Sequence, residues 1–224
     1  AAGGIIRIVN GCTVREGMVV GVQLPKEWLP RFQVLEYLRA FLAGRMGWHE
    51  LRATLIVSGA FGVFKRELVV EVGGYSTETV GEDMELVVRL HRHCLERGIP
   101  YSIGFVPDPV AWTECPVSLK VLGRQRDRWQ RGLMETLLKH RRMLFNPRYG
   151  RVGLLAYPYF VFVEMLSPVI EVVGYLGFLL ALSLHRVSGL YAVAFGSVAI
   201  GLGLALSFTA VALEELGFRR YPSR

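Results

Sequence analysis

Two long apolar segments near the end of the chain constrain its fold more than any other feature. Residues 187–213 carry no charged side chain, and residues 157–184 are almost as apolar. A helix of about 20 apolar residues is long enough to cross a bilayer. We therefore predict a transmembrane hairpin with spans at about 157–184 and 187–213, joined by a tight turn at His185 and Arg186, although the opening part of the first segment could instead lie in the membrane interface.

The first apolar segment also contains two glutamates. Glu164 and Glu171 are seven residues apart, which predicts that they share one face of a helix. Acids within a span usually face the protein interior or a wet path. Two interpretations stay open: the pair lines a polar path, or Glu164 lies at the level of the lipid headgroups.

Positive charge is concentrated directly before the apolar segments. The net charge is +7, and residues 124–151 hold nine Lys and Arg but only two acids, Asp127 and Glu135. Basic residues next to a span mark its cytoplasmic side, and Arg219, Arg220 and Arg224 return to that side. We predict an integral protein of the inner or plasma membrane with a cytoplasmic domain at 1–151 and a membrane hairpin at 152–224.

The first 151 residues have the strand and helix signals of a mixed α/β domain. Runs rich in Val and Ile, broken at Asn10-Gly11 and Glu16-Gly17, predict short strands over 4–24. A β-prone run with two internal glycines predicts a continuous strand over 55–64. The other predicted elements are a helix over 31–47, a glycine-rich loop and helix over 72–98, a buried strand over 101–112 and a basic helix over 117–144.

The predicted helix over 31–47 has an apolar stripe flanked by arginines and bracketed by two tryptophans. The stripe consists of Phe32, Leu35, Leu38 and Leu42, the arginines are Arg31, Arg39 and Arg45, and the tryptophans are Trp28 and Trp48. A basic amphipathic helix of this kind is typical of a membrane interface, and an ordinary surface helix over a core has the same pattern.

Neither the cysteines nor the histidines predict a metal site. Cys12, Cys94 and Cys115 are an odd, scattered set, which indicates reduced thiols rather than disulfides or a zinc site. His91 and His93 lie two residues apart, on different faces of the predicted helix, and we predict that both are solvated.

Two polar groups remain as candidates for chemistry. Asp83, with Glu82 beside it, lies at a helix start after a glycine-rich loop, where it could act as a general base or cap the helix. Arg128 and Trp129 on the basic helix could bind a phosphate and stack on a ring, or the helix could lie on anionic lipid.

The order of these groups resembles a known family. The matching motifs, followed directly by membrane spans, are Ser58-Gly59-Ala60-Phe61-Gly62, Gly81-Glu82-Asp83, Trp112-Thr113-Glu114 and Gln125-x-x-Arg128-Trp129. From about Gly4 to Arg220 the chain resembles the processive, membrane-integrated family 2 glycosyltransferases of the GT-A type, similar to cellulose, hyaluronan and poly-N-acetylglucosamine synthases. One departure is Gly81, where the family often has threonine.

The resemblance implies a fold and a role for each motif. The fold would be α/β, the C-terminal part of a Rossmann-like GT-A domain with amphipathic interface helices, followed by the two-helix hairpin. Asp83 would be the catalytic base, and Glu82 would shape the acceptor site. The residues implied to bind the acceptor are Phe61, Gly62, Trp112 and Glu114, and those implied over the donor diphosphate and acceptor sugar are Gln125, Arg128 and Trp129.

The resemblance also implies parts that this chain lacks. The family binds its nucleotide sugar and a divalent cation, Mg²⁺ or Mn²⁺, through Asp-x-Asp motifs, whereas the aspartates here are Asp83, Asp108 and Asp127 alone. We therefore expect a C-terminal fragment, with most metal ligands outside this chain, that is inactive by itself.

The expected partners are a nucleotide-sugar donor, a saccharide or lipid-linked acceptor and the bilayer. A non-catalytic membrane scaffold or accessory subunit of a synthase is the alternative. Nucleic acid is not an expected partner, because the basic charge abuts a span instead of forming a distributed basic face.

Overall fold

A computed structural model describes residues 1–221, apart from the side chain of Pro109; residues 222–224, including Arg224, lie outside the described part. In that part, β1 (Ala2–Ile8) is the centre of a three-stranded sheet. It pairs in parallel with β5 (Gly104–Thr113) and antiparallel with β4 (Gly62–Val63). A separate hairpin joins β2 (Thr13–Arg15) and β3 (Met18–Gly21), as the turns at 10–17 predict.

Five α-helices accompany the strands before residue 151. They are α1 (Trp28–Tyr37), α2 (Arg45–Glu50), α3 (Arg66–Glu71), α4 (Glu82–Arg97) and α5 (Leu119–Lys139), and a π-helical segment, Leu38–Gly44, joins α1 to α2. The parallel pairing of β1 with β5 requires a long crossover, which these intervening helices supply. The predicted α/β class is confirmed.

Helix α4 begins and ends as its sequence predicts. Glu82, Asp83 and Glu85 occupy its first turn, where carboxylates favour the helix dipole. Gly98 ends it in the left-handed conformation at φ 66°. Its apolar face is buried, so packing fixes the position of the helix and of the residues at its N-terminus.

The continuous strand predicted over 55–64 is wrong except at Gly62–Val63. Leu55 and Val57 are buried, so the apolar residues of this run indicate a buried segment and not a continuous strand. The backbone then turns, and the N–H of Phe61 donates to the carbonyl of Ser58 at 3.0 Å. This turn brings Gly59 of the candidate acceptor motif to Asp83 in α4, while Gly62 pairs with β1.

The predicted apolar stripe over 31–47 is only partly correct. Leu38 and Leu42 are buried, but Phe32 is 64 % exposed, and Arg45 is buried instead of flanking the stripe. The π-helical segment changes the helical period, so the buried face no longer follows the 3.6-residue pattern.

The prediction that His91 is solvated is wrong, because its side chain is only 2 % exposed. Its Nε2 donates to the carbonyl of Thr54 at 2.8 Å, and its Nδ1 accepts from the hydroxyl of Tyr101 at 2.6 Å. A neutral ring with its proton on Nε2 makes both bonds, because the carbonyl of Thr54 can only accept. Burial lowers the pKa of His91 to about 4, against the smaller effect of the Thr54 bond.

This buried histidine predicts loss of stability in mild acid. The unfolded chain takes up a proton near pH 6.5, whereas folded His91 stays neutral until about pH 4. Stability is therefore complete above about pH 6.5 and falls as the pH drops towards 4, by about 2 kcal/mol at pH 5. The unfolding temperature of the detergent-solubilised protein at pH 7 and pH 5 measures this. His91→Gln should flatten the dependence and His185→Gln, in an exposed turn, should not; equal slopes in both variants would contradict the prediction.

The C-terminal part contains one helix long and apolar enough to cross a membrane, at Gly189–Phe218. It consists of α8 (Gly189–Leu213) and a π-helical turn, Glu214–Phe218. This matches the predicted second span, and the turn before it is also observed.

The predicted first span is bent. It consists of two helical segments, Val152–Met165, which contains α6 (Tyr157–Tyr159), and α7 (Ser167–Ser183). Only together are they long and apolar enough to cross a membrane, and a bend of 47° separates them. Pro168 stands at the start of α7, where its missing N–H is tolerated. Glu164 and Glu171, which the sequence placed on one helix face, lie in two different helical segments, one before the bend and one after it.

Candidate active site

Asp83 is held by the turn that carries the candidate acceptor motif. Its Oδ2 accepts the N–H of Gly59 at 2.9 Å, and its Oδ1 accepts the N–H of Met84 at 2.7 Å. A Cβ on Gly59 would lie 3.3 Å from the Cβ of Asp83, so a glycine permits this close approach. The carboxylate thus satisfies a backbone N–H in the first turn of α4 and also joins two sequence motifs, while neighbouring Glu82 is exposed.

Helix α5 crosses the start of α4 in backbone-to-backbone contact. A Cβ on Gly132 would lie 2.7 Å from the Cα of Gly81, and one on Gly81 would lie 2.9 Å from backbone atoms of Gly132. Beside this crossing, the N–H of Val80 donates to Glu135 at 2.9 Å. The ion pair with Arg131 and this backbone bond lower the pKa of Glu135. The crossing fixes the position of α5 relative to Asp83, and it explains why glycine suits position 81, where the family often has threonine.

Gly132→Ala is expected to disturb the site. The added methyl group must push α5 away from α4, because backbone atoms on the other side cannot yield. We expect a loss of about 1–3 kcal/mol in the free energy of unfolding and, since a misplacement of about 1 Å can cost about 100-fold, a large fall in activity. Unfolding temperature and transfer rate measure both. Gly123→Ala is the matched control on the same helix, because a Cβ at Gly123 meets nothing within 4 Å. Equal stability and activity of the two variants would contradict the role of the close contact between Gly132 and Gly81 in positioning the site.

The Gln-x-x-Arg-Trp motif lies on α5, one to two turns before this crossing. Trp129 is 37 % exposed and packs against Phe41, with 6.2 Å between ring centroids. Gln125 is partly buried, and its Oε1 has no hydrogen-bond partner within residues 1–221. Arg128 is exposed. The exposed edge of Trp129 and the side chain of Arg128 are thus available to a ligand.

Arg126, next to the motif residue Gln125, joins two helices. It forms an ion pair with Glu36 at 2.6 Å, and its guanidinium lies 4.4 Å from the centroid of the Trp129 ring. It therefore links α5 to α1 and supports the indole.

Arg45 belongs to the site although the sequence assigned it to a helix flank. It is 7 % exposed, and its guanidinium lies 4.4 Å from the centroid of Phe41. Burial lowers the pKa of Arg45 to about 10, while the negative charge of Asp83 opposes that shift. Helical periodicity in the sequence does not signal this burial, because the π-helical segment before Arg45 changes the helical period.

The predicted acceptor residues fall into two groups. The Phe61 ring packs against β1 so closely that a Cβ on Gly4 would lie 2.2 Å from it, and Gly62 pairs with Gly3. Trp112, at the end of β5, packs edge-on against Tyr221 at 6.0 Å, and Glu114 after it is exposed. The first group is joined to Asp83 through the turn at Gly59, and the second is packed beside the end of α8.

The site residues of this chain do not form a metal centre. Within residues 1–221 no group of three or more His, Cys, Asp or Glu side chains could hold an ion. Glu82 and Asp83 supply two carboxylates, and both oxygens of Asp83 already accept N–H groups. These residues by themselves do not fit a divalent cation.

A buried ionic network supports the site from behind. His140 donates to the fully buried Glu85 at 3.0 Å, and Arg89 pairs with the same carboxylate at 2.9 Å. Burial raises the pKa of Glu85, but the bond from His140 and the charges of Arg89 and Lys139 outweigh it and hold the pKa below its ordinary value. Through Glu85 the network joins the first turn of α4 to the end of α5.

The fold and the motifs agree with the comparisons with known proteins. Residues 17–208 match the family described as Glycosyl transferase family group 2, so the chain belongs to this glycosyltransferase family. It is similar to the probable glycosyltransferase YdaM of Bacillus subtilis (strain 168), with 28 % identity over 62 % of this chain and 32 % of that protein. It is also similar to the poly-beta-1,6-N-acetyl-D-glucosamine synthase of Staphylococcus aureus (strain COL), with 34 % identity over 50 % of this chain and 26 % of the synthase. The resemblance stated from the motifs is confirmed, and the matched part spans a third or less of these relatives.

Proposed function

We propose that this chain forms the acceptor side of a membrane glycosyltransferase that moves a sugar from a nucleotide-sugar donor to the hydroxyl of a saccharide or lipid-linked acceptor, with inversion. The observation that carries the proposal is the position of Asp83. Its carboxylate is held by the Gly59 turn at 2.9 Å and lies beside the crossing that positions the Gln-x-x-Arg-Trp motif.

The proposed reaction is a single displacement. Asp83 accepts the proton of the acceptor hydroxyl, whose oxygen attacks the anomeric carbon of the donor sugar. The bond from that carbon to the phosphate oxygen breaks on the opposite face, and its electron pair leaves with the nucleoside diphosphate. One displacement inverts the anomeric configuration, so a single base suffices.

The other motif residues have roles that suit their chemistry. Arg128, exposed on α5, stabilises the negative charge that gathers on the diphosphate. The exposed part of the Trp129 indole packs against the apolar side of a sugar ring. Gln125 has a buried Oε1 without a partner within residues 1–221, and an amide oxygen can accept from a sugar hydroxyl or a nucleotide N–H.

Donor binding in this proposal depends on residues outside the chain. The chain has no Asp-x-Asp sequence among its three aspartates, and its site residues do not form a metal centre. Residues 1–224 alone are therefore expected to be unable to turn over a nucleotide sugar, and Mg²⁺ or Mn²⁺ would be held mainly elsewhere in the enzyme.

The membrane is part of the proposal. Gly189–Phe218 is suited to crossing a bilayer, and the basic residues before Val152 favour a cytoplasmic catalytic region. A relative is named for synthesis of poly-beta-1,6-N-acetyl-D-glucosamine. We propose polysaccharide synthesis at the membrane as the setting of the reaction.

Product analysis in membranes tests this function. Membranes containing the full-length protein are incubated with a panel of radiolabelled nucleotide sugars, and the anomeric configuration of the labelled product is determined by NMR. Incorporation from one donor with inverted configuration is expected. Retained configuration would contradict the mechanism, and no incorporation from any donor would favour a non-catalytic scaffold.

A further inference from the structure

Arg45 is a buried cation that makes neither a hydrogen bond nor an ion pair with the residues that the structure describes. Its Nη1 is completely buried without a partner, and the side chain is more than nine-tenths buried. The other strongly buried arginine, Arg7, has Glu214 at 2.5 Å. Buried charges are retained when another group compensates them, so the exception at Arg45 indicates that its partner is a ligand.

Phe41 links Arg45 to the motif on α5. Phe41 contacts its guanidinium on one side and packs against Trp129 on the other. Asp83 is a carboxylate whose negative charge acts on Arg45, although the two groups do not form a direct ion pair within 4.0 Å. The guanidinium therefore has no direct counter-charge among the residues that the structure describes.

We propose that Arg45 is a ligand of the nucleoside diphosphate and that its charge is balanced by Asp83 before the reaction and by the diphosphate after it. The proposal rests on the proposed function. The acceptor proton moves to Asp83, which becomes neutral, while the electron pair of the broken bond adds one negative charge to the diphosphate. The charge of Arg45 does not change, but its counter-charge moves from the base to the leaving group, and the buried cation thereby favours departure.

Equilibrium binding of the nucleoside diphosphate to the full-length protein tests the proposal without requiring turnover. The probe is the free nucleoside diphosphate of the donor that yields product in the membrane assay. Arg45→Gln should weaken binding about tenfold, as expected for a lost charge-assisted bond, and Arg45→Lys should lose less. Arg39→Gln is the matched control, because Arg39 is exposed on the π-helical segment that directly precedes Arg45, and it should bind as the native protein does.

Asp83→Asn provides an independent arm that leaves Arg45 in place. A neutral residue at 83 no longer balances Arg45, so the nucleoside diphosphate should bind about three- to tenfold more tightly. This gain should disappear in the double variant Arg45→Gln with Asp83→Asn. Binding by Arg45→Gln within twofold of native would overturn the proposal.

Two further results would also overturn it. One is a gain with Asp83→Asn that persists in the double variant, because it would reflect direct repulsion between Asp83 and the diphosphate. The other is the absence of any gain, which remains decisive even if Arg45→Gln fails to fold. Failure of the proposed function is a separate result, namely sugar transfer by Asp83→Asn at a near-native rate.

Discussion

Asp83→Asn in the full-length protein is expected to reduce the rate of sugar transfer by about 10²- to 10⁴-fold, the range that a general base contributes. Asparagine has the same shape and can still accept the N–H of Gly59 through its amide oxygen. It cannot take the proton of the acceptor hydroxyl at neutral pH. The fold and donor binding should therefore survive while the chemical step fails. Initial rates with the labelled donor, together with nucleotide binding, measure the two effects separately.

Two controls accompany this variant. Asp127→Asn removes an exposed carboxylate from the basic run on α5 and should leave the rate within about twofold of native, as expected of a surface site. Glu82→Gln tests the neighbouring acid, whose implied role is to shape the acceptor site, and should change the acceptor KM more than kcat. A near-native rate for Asp83→Asn would show that another group is the base.

Arg7→Met is expected to cause the largest loss of stability. Arg7 in β1 and Glu214 at the end of α8 form a fully buried ion pair at 2.5 Å. Removing one partner leaves the other charge buried and uncompensated, which costs about 3–5 kcal/mol. The double variant Arg7→Met with Glu214→Leu has no such charge and should recover most of the loss. Apparent unfolding temperatures in detergent of the native protein, Arg7→Met, Glu214→Leu and the double variant measure the coupling.

The exposed ion pair between Arg220 and Asp108, at 2.7 Å, is the matched control in the same region. Arg220→Gln should cost about 0–1 kcal/mol, because solvent screens exposed pairs. If Arg7→Met is as mild as this control, or if the double variant is no more stable than the single ones, Arg7 and Glu214 do not join the sheet to α8 as the structure indicates.

Local signals in the sequence were sufficient for several parts of the fold. The acids at the start of α4 and Gly98 at its end bound the helix correctly, because capping and dipole effects act within one turn. The uncharged run at 187–213 predicted α8 through its length and its apolar composition. The motif order from Phe61 to Trp129 identified the family, since the residue types carry that information without any knowledge of distances.

Other predictions failed where a residue's role depends on a distant partner. Arg45 has the sequence of a helix flank, but the π-helical segment before it turns it into the interior. His91 has the sequence of a surface residue and is buried by Thr54 and Tyr101. Arg126 is a generic basic residue until the fold brings Glu36 beside it. None of these partners follows from helical or strand periodicity.

The sequence by itself thus determined the α/β class, the apolar C-terminal helix and the membership of a glycosyltransferase family, because composition, periodicity and motif order are properties of neighbouring residues. Only the tertiary structure decided that Gly59 holds Asp83 across 24 positions, that Gly132 lies against Gly81 and that Arg7 meets Glu214 across 207 positions. These contacts are chosen by burial and charge compensation between segments that meet only when the chain has folded.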